Sequence, residues 1–443
     1  MTRLFSIGLA LIVGCSADVS TSIPVTAAKQ TSSNLDAASR SADGSSESRE
    51  FESSELNVTN ADLLAAANEG NAFAIDLYSR LRSSGQGSLF FSPYSIHSAL
   101  SMTYAGARGE TAIEMARALH FEGEAKTVVA RVAALGRSLP TGRGATQHYE
   151  LRIANRLWGP QGLAVLPEFV GVMRDHFGAE LAMADFAMHT EEARQRINAW
   201  VAAETKDKIK GLLKPGMVDS STMLVLTNAI YFKGQWNKTF DKKITAQAPF
   251  HVSADKKIDV PLMFQRGNFS CSAVDGTQIL ELPYAGNRLA MTILLPEKVD
   301  GLAALEDMLT PENLNRWLSR LESHPAIVHL PRFRLTSDFS LKPELRSLGM
   351  ELVLSPGQAD LSGMTGSQDL FISAVVHKAF VDVNEEGTEA AAATAVITNT
   401  PGPVDEDVQT FVFRADHPFL FLIRDTRTGS ILFLGRMVKP SAS

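Results

Sequence analysis

The sequence predicts a large α+β domain, and three observations predict it. Helical and strand-like stretches are densely mixed from about Ala61 to Ser443, without the regular alternation of a βαβ protein. Several of the strand-like stretches are near-continuous apolar runs, as expected of strands covered on both faces. The composition is that of a globular protein, 45% apolar and 21% charged over 443 residues. Length alone suggests two or three domains, yet no repeat or linker divides the stretch from Ala61 onward.

The elements follow in chain order. MTRLFSIGLALIVGCSAD carries Arg3, then an apolar core from Leu4 to Val13 that is too short to span a bilayer and has the shape of a secretory signal. It ends Ile12-Val13-Gly14-Cys15, which resembles the lipobox of bacterial lipoproteins. That resemblance implies that residues 1–14 are removed and that Cys15 carries lipid. The alternative is an ordinary signal peptide with an incidental cysteine. Both export the protein, either to a membrane-anchored position at the cell envelope or surface or into the medium. From Ser16 to about Asn60 the chain is rich in Ser, Ala and Thr and poor in large apolar side chains. Such a segment cannot bury enough surface to fold, so residues 15–60 are expected to be a flexible tether and 61–443 the folded domain.

ADLLAAANEGNAFAIDLYSRL reads as a helix with Leu63, Leu64, Phe73, Ile75, Leu77 and Leu81 available for burial. GETAIEMARALHF reads as a short helix with Glu110 early in it. In TEEARQRINAWVAAETKDKIKGLL, Thr190 can cap and Glu191 and Glu192 suit the first turn. Ile197, Trp200, Val201 and Ile209 form its apolar stripe, and Gly211 and Pro215 end it. STMLVLTNAIYF, ILELPY, LAMTILLP and AIVHLPRFRL read as strands, as do LFISAVVHKAFVDV, FVFRADHPFLFLI and SILFLGRMV. Thr428-Gly429 marks the turn between the last two. Between Val383 and Thr410 lies NEEGTEAAAATAVITNTPGPVDED, in which an alanine run, β-branched residues and prolines point in different directions.

The exclusions narrow the function. A net charge of −7 argues against a nucleic-acid partner. Two distant cysteines, Cys15 and Cys271, make no disulfide framework, and Cys271 reads as a small core residue. His324 and His329 are the one histidine pair near ligand spacing, and no acidic or cysteine partner accompanies them, so no metal site is expected. GxSxG, Walker, GxGxxG and HExxH motifs are all missing, which leaves no catalytic residue to nominate. No cofactor is expected, nor a Lys/Arg cluster of the heparin-binding kind.

Six words occur in order from Ala61 to Ser443: SLFFSPYSIHSALSMTYAGARGET, INAWVAAETKDKIKGLL, LTNAIYFKGQW, HLPRFRL, HKAFVDVNEEGTEAAAATA and FRADHPFLFLIRD. Together they resemble a serpin. The resemblance implies one domain with three β-sheets and about nine helices, and an exposed reactive-centre loop at about 385–409. It implies a protease inhibitor, not an enzyme, and a monomer, with the target protease as partner and the membrane reached only through the N-terminal lipid. In the family a protease attacks the loop, and the cut loop then enters the main sheet as a new central strand, distorting the acylated protease.

The loop residues fit that fate. A strand entering a closing gap needs small side chains on its inner face. By alternation Thr388, Ala390, Ala392 and Thr394 share the inner face, while Glu389, Ala391, Ala393 and Ala395 share the outer. No proline interrupts 387–400, and Gly387 frees the backbone at the base of the hinge, which comprises Glu385, Glu386, Gly387, Thr388, Glu389, Ala390, Ala391, Ala392 and Ala393. An Ala-rich helical linker is the alternative on propensity alone. The family count places the scissile bond near Thr400 or Pro401. Proline disturbs the geometry of a cleaved position, so Thr398 and Asn399 are also candidates, within a window of about 397–407. No Arg or Lys lies between Val383 and Arg414, which disfavours a trypsin-like target and suits an elastase-like or subtilisin-like one. Inhibition of a cysteine protease and a non-inhibitory carrier or chaperone stay open. The resemblance also assigns Ser92, Ser95, Asn228 and His377 to a polar shutter beneath the central strands, and Trp236 to the breach where insertion begins. A satisfied core histidine and plain core packing are the simpler readings of His377 and Trp236. Phe413, Pro418 and Phe419 read as packing residues of the strand after the loop.

Overall fold

The structure is a computed structural model that describes residues 58–139, 149–388 and 410–440. Cys15, residues 389–393 of the hinge and the bond candidates Thr398, Asn399, Thr400 and Pro401 lie outside them. The chain opens with α1 (Asn60–Ser83), β1 (Leu89–Phe91), α2 (Pro93–Gly106), α3 (Gly109–Ala118), α4 (Ala125–Ser138), β2 (Tyr149–Pro160), α5 (Pro167–Val172), β3 (Leu181–Ala184) and α6 (Thr190–Glu204). It continues through β4 (Leu224–Gln235), β5 (Ala246–Ser253), β6 (Lys256–Val274), β7 (Thr277–Pro283), β8 (Leu289–Pro296), α7 (Leu302–Met308), α8 (Pro311–Leu318), β9 (Glu322–Pro331) and β10 (Phe333–Ser340). It closes with α9 (Lys342–Ser347), α10 (Ser362–Thr365), β11 (Ile372–Asn384), β12 (Gly387–Thr388), β13 (Phe411–Arg414), β14 (Phe419–Asp425) and β15 (Ile431–Met437).

One sheet has the order β10-β11-β12-β4-β2-β3. The other runs β1-β15-β14-β8-β7-β6-β9-β13, with β5 added on β6. The expected three sheets are visible in this arrangement because two of them share β6. The first part of β6 pairs with β5 over Lys256–Leu262, and its last residues, Ser270–Val274, pair with β7. β9 covers Leu262–Cys271 between them. With ten α-helices among the described residues, the architecture is the expected α+β fold.

β4 is buried on both faces, as its apolar run predicts. Leu224, Leu226, Ile230 and Phe232 enter the main core, while Val225 and Ala229 pack beneath α6 with Ile197 and Val201. Cys271 is fully buried and unpaired, its thiol pushed up to about 11 by burial. Among the described residues no helix is long and apolar enough to cross a membrane.

Three local readings are corrected. α6 is capped at His189 rather than Thr190, whose hydroxyl donates to the Phe186 carbonyl instead. The helix stops at Glu204, well before Gly211. Thr205 is buried, and its Oγ1 donates to the Val201 carbonyl at 2.7 Å and accepts from the Ile209 N–H at 3.2 Å, while Lys206 and Asp207 turn into positive φ. Such a hydroxyl offers the backbone an alternative to the helical ladder. AIVHLPRFRL and FVFRADHPFLFLI are each two strands: Arg332 separates β9 from β10, which lie in different sheets, and Ala415–Pro418 separates β13 from β14.

Candidate functional site

The two inner strands of the six-stranded sheet, β4 and β11, are parallel neighbours. They pair directly from Ile372↔Leu224 to Phe380↔Tyr231. Beyond that level they are separated by β12. Gly387 and Thr388 pair with Asn384 and Val383 on one side and with Gln235 and Gly234 on the other. The sheet is therefore closed along most of its length and wedged at one end by two residues of the hinge.

A polar cluster lies at the closed level. Asn155 of β2, Asn228 of β4 and His377 of β11 sit side by side in register, and Ser92 and Ser95 approach from the start of α2. His377 is fully buried. Its Nε2 accepts from the Ser92 N–H at 3.0 Å, so its Nδ1–H donates to Asn228 Oδ1. Asn228 Nδ2 donates to Ser95 Oγ and Asn155 Oδ1, each at 2.6 Å. Ser95 Oγ donates to Asn155 Oδ1 at 2.8 Å, and Ser92 Oγ to the Leu432 carbonyl at 2.6 Å. Burial pushes the His377 pKa down to about 3, so the ring is neutral, as its one-donor, one-acceptor bonding requires. The polar side chains of Ser92, Ser95, Asn228 and His377 all find partners, which buried polar groups need.

The hinge is held by a second group of residues. Gly387 has φ +153°, and a Cβ there would lie 1.9 Å from the Gly234 carbonyl oxygen, so only glycine fits. Thr388, on the face that alternation assigns to the core, is fully buried and shares a 2.7 Å hydrogen bond with the Tyr284 hydroxyl. Tyr284 in turn stacks on Trp236 at 4.6 Å. Trp236 binds the hinge twice: its indole N–H donates to the Asn384 carbonyl and its backbone N–H to that of Glu386, both at 2.9 Å. Glu385 is 1% exposed. Burial raises its pKa, but hydrogen bonds from Arg332 and from Thr245 Oγ1, at 2.6 Å, outweigh it and hold the carboxyl below its usual value. Glu386 faces Lys242. Glu385, Gly387 and Thr388, expected to belong to an exposed loop, have instead found partners inside the sheet.

A family model described as serpin (serine protease inhibitor) matches residues 68–440. The chain belongs to the serpin family. Among its relatives, the leukocyte elastase inhibitor of Homo sapiens and leukocyte elastase inhibitor A of Rattus norvegicus are each 43% identical over 386 residues, covering 85% of this chain and 99% of theirs. Among solved structures, uncleaved ovalbumin superposes with a TM-score of 0.77 at 31% identity, over 85% of this serpin and 100% of the ovalbumin chain.

These relatives correct one expectation. "Not an enzyme" is replaced by what the comparisons print, a family described as serine protease inhibitor and relatives named as elastase inhibitors. The statement that holds is that the relatives are protease inhibitors.

Five residues of these two groups escape the sequence reading of this serpin. Asn155 left a signal, since it is the polar member of the inward set Leu151, Ile153, Asn155 and Leu157. Thr245, Lys242, Tyr284 and Arg332 left none, because each meets the hinge across more than fifty residues of chain. Among the described residues no three His, Cys, Asp or Glu side chains gather as a metal site. His324 stands by Glu322, and His329 packs edge-on to Phe264.

Proposed function

We propose that this serpin is a suicide-substrate inhibitor of a serine endopeptidase with elastase-like or subtilisin-like specificity. The protease acylates itself on the loop at Thr398, Asn399, Thr400 or Pro401. Residues from Glu389 onward then continue the path of Gly387 and Thr388 between β4 and β11, carrying the acylated protease with them before hydrolysis. The observation that carries this reading is the wedge itself, two hinge residues already bonded to both strands that must part. Small side chains through Ala393 and the missing Arg and Lys from Asn384 to Phe413 support the mode and the target class. Ser92, Ser95, Asn228 and His377 serve as the polar shutter that re-forms around the new strand, and Trp236 as the breach, where it holds the hinge at Asn384 and Glu386.

The test is incubation with a panel of serine and cysteine proteases, read by SDS-stable complexes and by mass spectrometry of the C-terminal peptide. The reading expects a complex with an elastase-like or subtilisin-like enzyme and a new N-terminus within 398–408. No complex with any enzyme, or a peptide starting at Ala415, overturns it. For the N-terminus the same proposal assigns residues 1–14 to a signal peptide, Cys15 to lipid attachment and 15–60 to a tether ahead of the inhibitory domain at 61–443. Palmitate labelling that survives Cys15→Ala refutes the anchor.

A further inference from the structure

The strand that carries the loop back into the fold opens a surface beside it. β13 pairs with β9, which pairs in turn with β6. Val412, Ile327 and Arg266 lie side by side in this ladder, as do Arg414, His329 and Phe264 two residues along, so all six share one face. That face is turned away from the core, because the alternate residues Phe413, Val328 and Gln265 are buried. Val412 is 53% exposed and Arg266 is exposed, while Phe264 and Ile327 are half-buried. Two strand spacings separate Arg266 from Val412, about 10 Å.

The face is apolar at its centre and positive at its edge. The Arg266 side chain makes no hydrogen bond or ion pair among the described residues. Lys238 Nζ donates to the Arg266 carbonyl at 2.7 Å, which sets a second exposed cation beside it. Arg414 is paired with Asp416 at 2.8 Å, so the open charges are those of Arg266 and Lys238, on a chain whose net charge is −7. Aromatic and aliphatic contact with arginine beside it is a composition that protein interfaces favour.

Two arguments choose the partner. A two-fold contact between copies of this chain would bring the patch against itself, cation to cation. A protease, by contrast, is brought close by the loop. Thr398 stands fourteen residues ahead of Val412, a span of about 50 Å at full extension, so an enzyme seated on the loop is within reach of the face. We propose that this face is a second docking site for the protease that cleaves the loop, and that it selects an enzyme whose surface beside the active-site cleft is acidic. The inference rests on the inhibitory reading above. The loop offers its bond to any enzyme with suitable pockets, and the face speeds the encounter with the one whose charge complements Arg266 and Lys238, since charges at the edge of an interface act chiefly on association rate.

The test takes the panel enzyme that forms the SDS-stable complex fastest. The second-order rate of complex formation is measured for the full chain as wild type, Arg266→Glu and Lys257→Glu, at about 20 mM and about 0.5 M salt. Lys257 is exposed on the same strand, about 30 Å from Arg266, so its reversal changes the net charge equally without touching the face. Arg266→Glu should react at least about tenfold more slowly at low salt, with the gap closing at high salt, and Lys257→Glu should stay within about twofold of wild type. Equal melting temperatures for the three proteins exclude a folding defect. A wild-type rate in Arg266→Glu, equal slowing by both reversals, or a gap that salt leaves unchanged overturns the docking site while the inhibitory reading stands. No complex with any enzyme of the panel overturns both.

Discussion

Replacing His377 with Gln converts a titrating member of the polar cluster into one that never titrates. In the folded chain Nε2 accepts from the Ser92 N–H and Nδ1–H donates to Asn228, so a second ring proton would point N–H at N–H in a fully buried site. The folded pKa, about 3, is below the ordinary 6.5. The sign follows: the unfolded chain binds the proton first, so the stability linked to the neutral ring is complete above pH 6.5 and is lost as pH falls toward 3. At about 1.36 kcal/mol per pH unit, roughly 2 kcal/mol is lost between pH 6.5 and pH 5, and about 4–5 kcal/mol over the full window. His97, buried with its pKa lowered to about 4, adds a loss of the same sign, as do carboxylates held low, so the comparison must be a difference. The assay is urea unfolding of wild type and His377→Gln at intervals from pH 7.5 to pH 4.5. The wild type should lose about 2 kcal/mol more than the variant by pH 5. Parallel curves for the two proteins would refute the reasoning.

Three further predictions concern the hinge. Gly387→Ala should expel β12 from the sheet, because the new Cβ meets the Gly234 carbonyl at 1.9 Å; the Thr388 amide then loses its protection from hydrogen exchange, and unchanged protection counts against the wedge. Glu385→Gln removes the carboxylate from Arg332 and should cost about 1.5–3 kcal/mol at pH 7, as charge-assisted bonds do. Since the Glu385 pKa is depressed, that difference should shrink as pH falls below the ordinary carboxylate range, and a deficit constant down to pH 3 argues against it. Tyr284→Phe leaves the Thr388 hydroxyl buried without its partner, for a loss of about 1–3 kcal/mol measured by urea unfolding.

Much of this was legible in the sequence where the signal is local. The apolar run of β4 announced burial on both faces, and alternation put Thr388 and Ala390 on one side of the hinge before Thr388 was found against Tyr284. Helix ends were harder. Gly211 looked like the end of α6, but a threonine hydroxyl bonding its own backbone ended the helix at Glu204. Breaks inside apolar words were invisible too, since Arg332 passes between two sheets while HLPRFRL reads as one strand. Partners fixed by tertiary contact, such as Arg332 for Glu385, have no local signature, and the polar cluster was incomplete until Asn155 joined it.

The placement of β14 and β15 bears on what a cut chain becomes. β14 lies between β8 and β15, and β15 between β14 and β1, with Phe421, Leu422, Phe433 and Leu434 fully buried. A break anywhere between Thr388 and Phe411 therefore severs the polypeptide without detaching its last thirty or so residues, in which β14 and β15 are interior strands held from both flanks and β13 is paired with β9. The nicked molecule is a two-chain particle whose smaller chain comes away only when the larger one is denatured. Gel filtration in native buffer should show one species where a denaturing gel shows two.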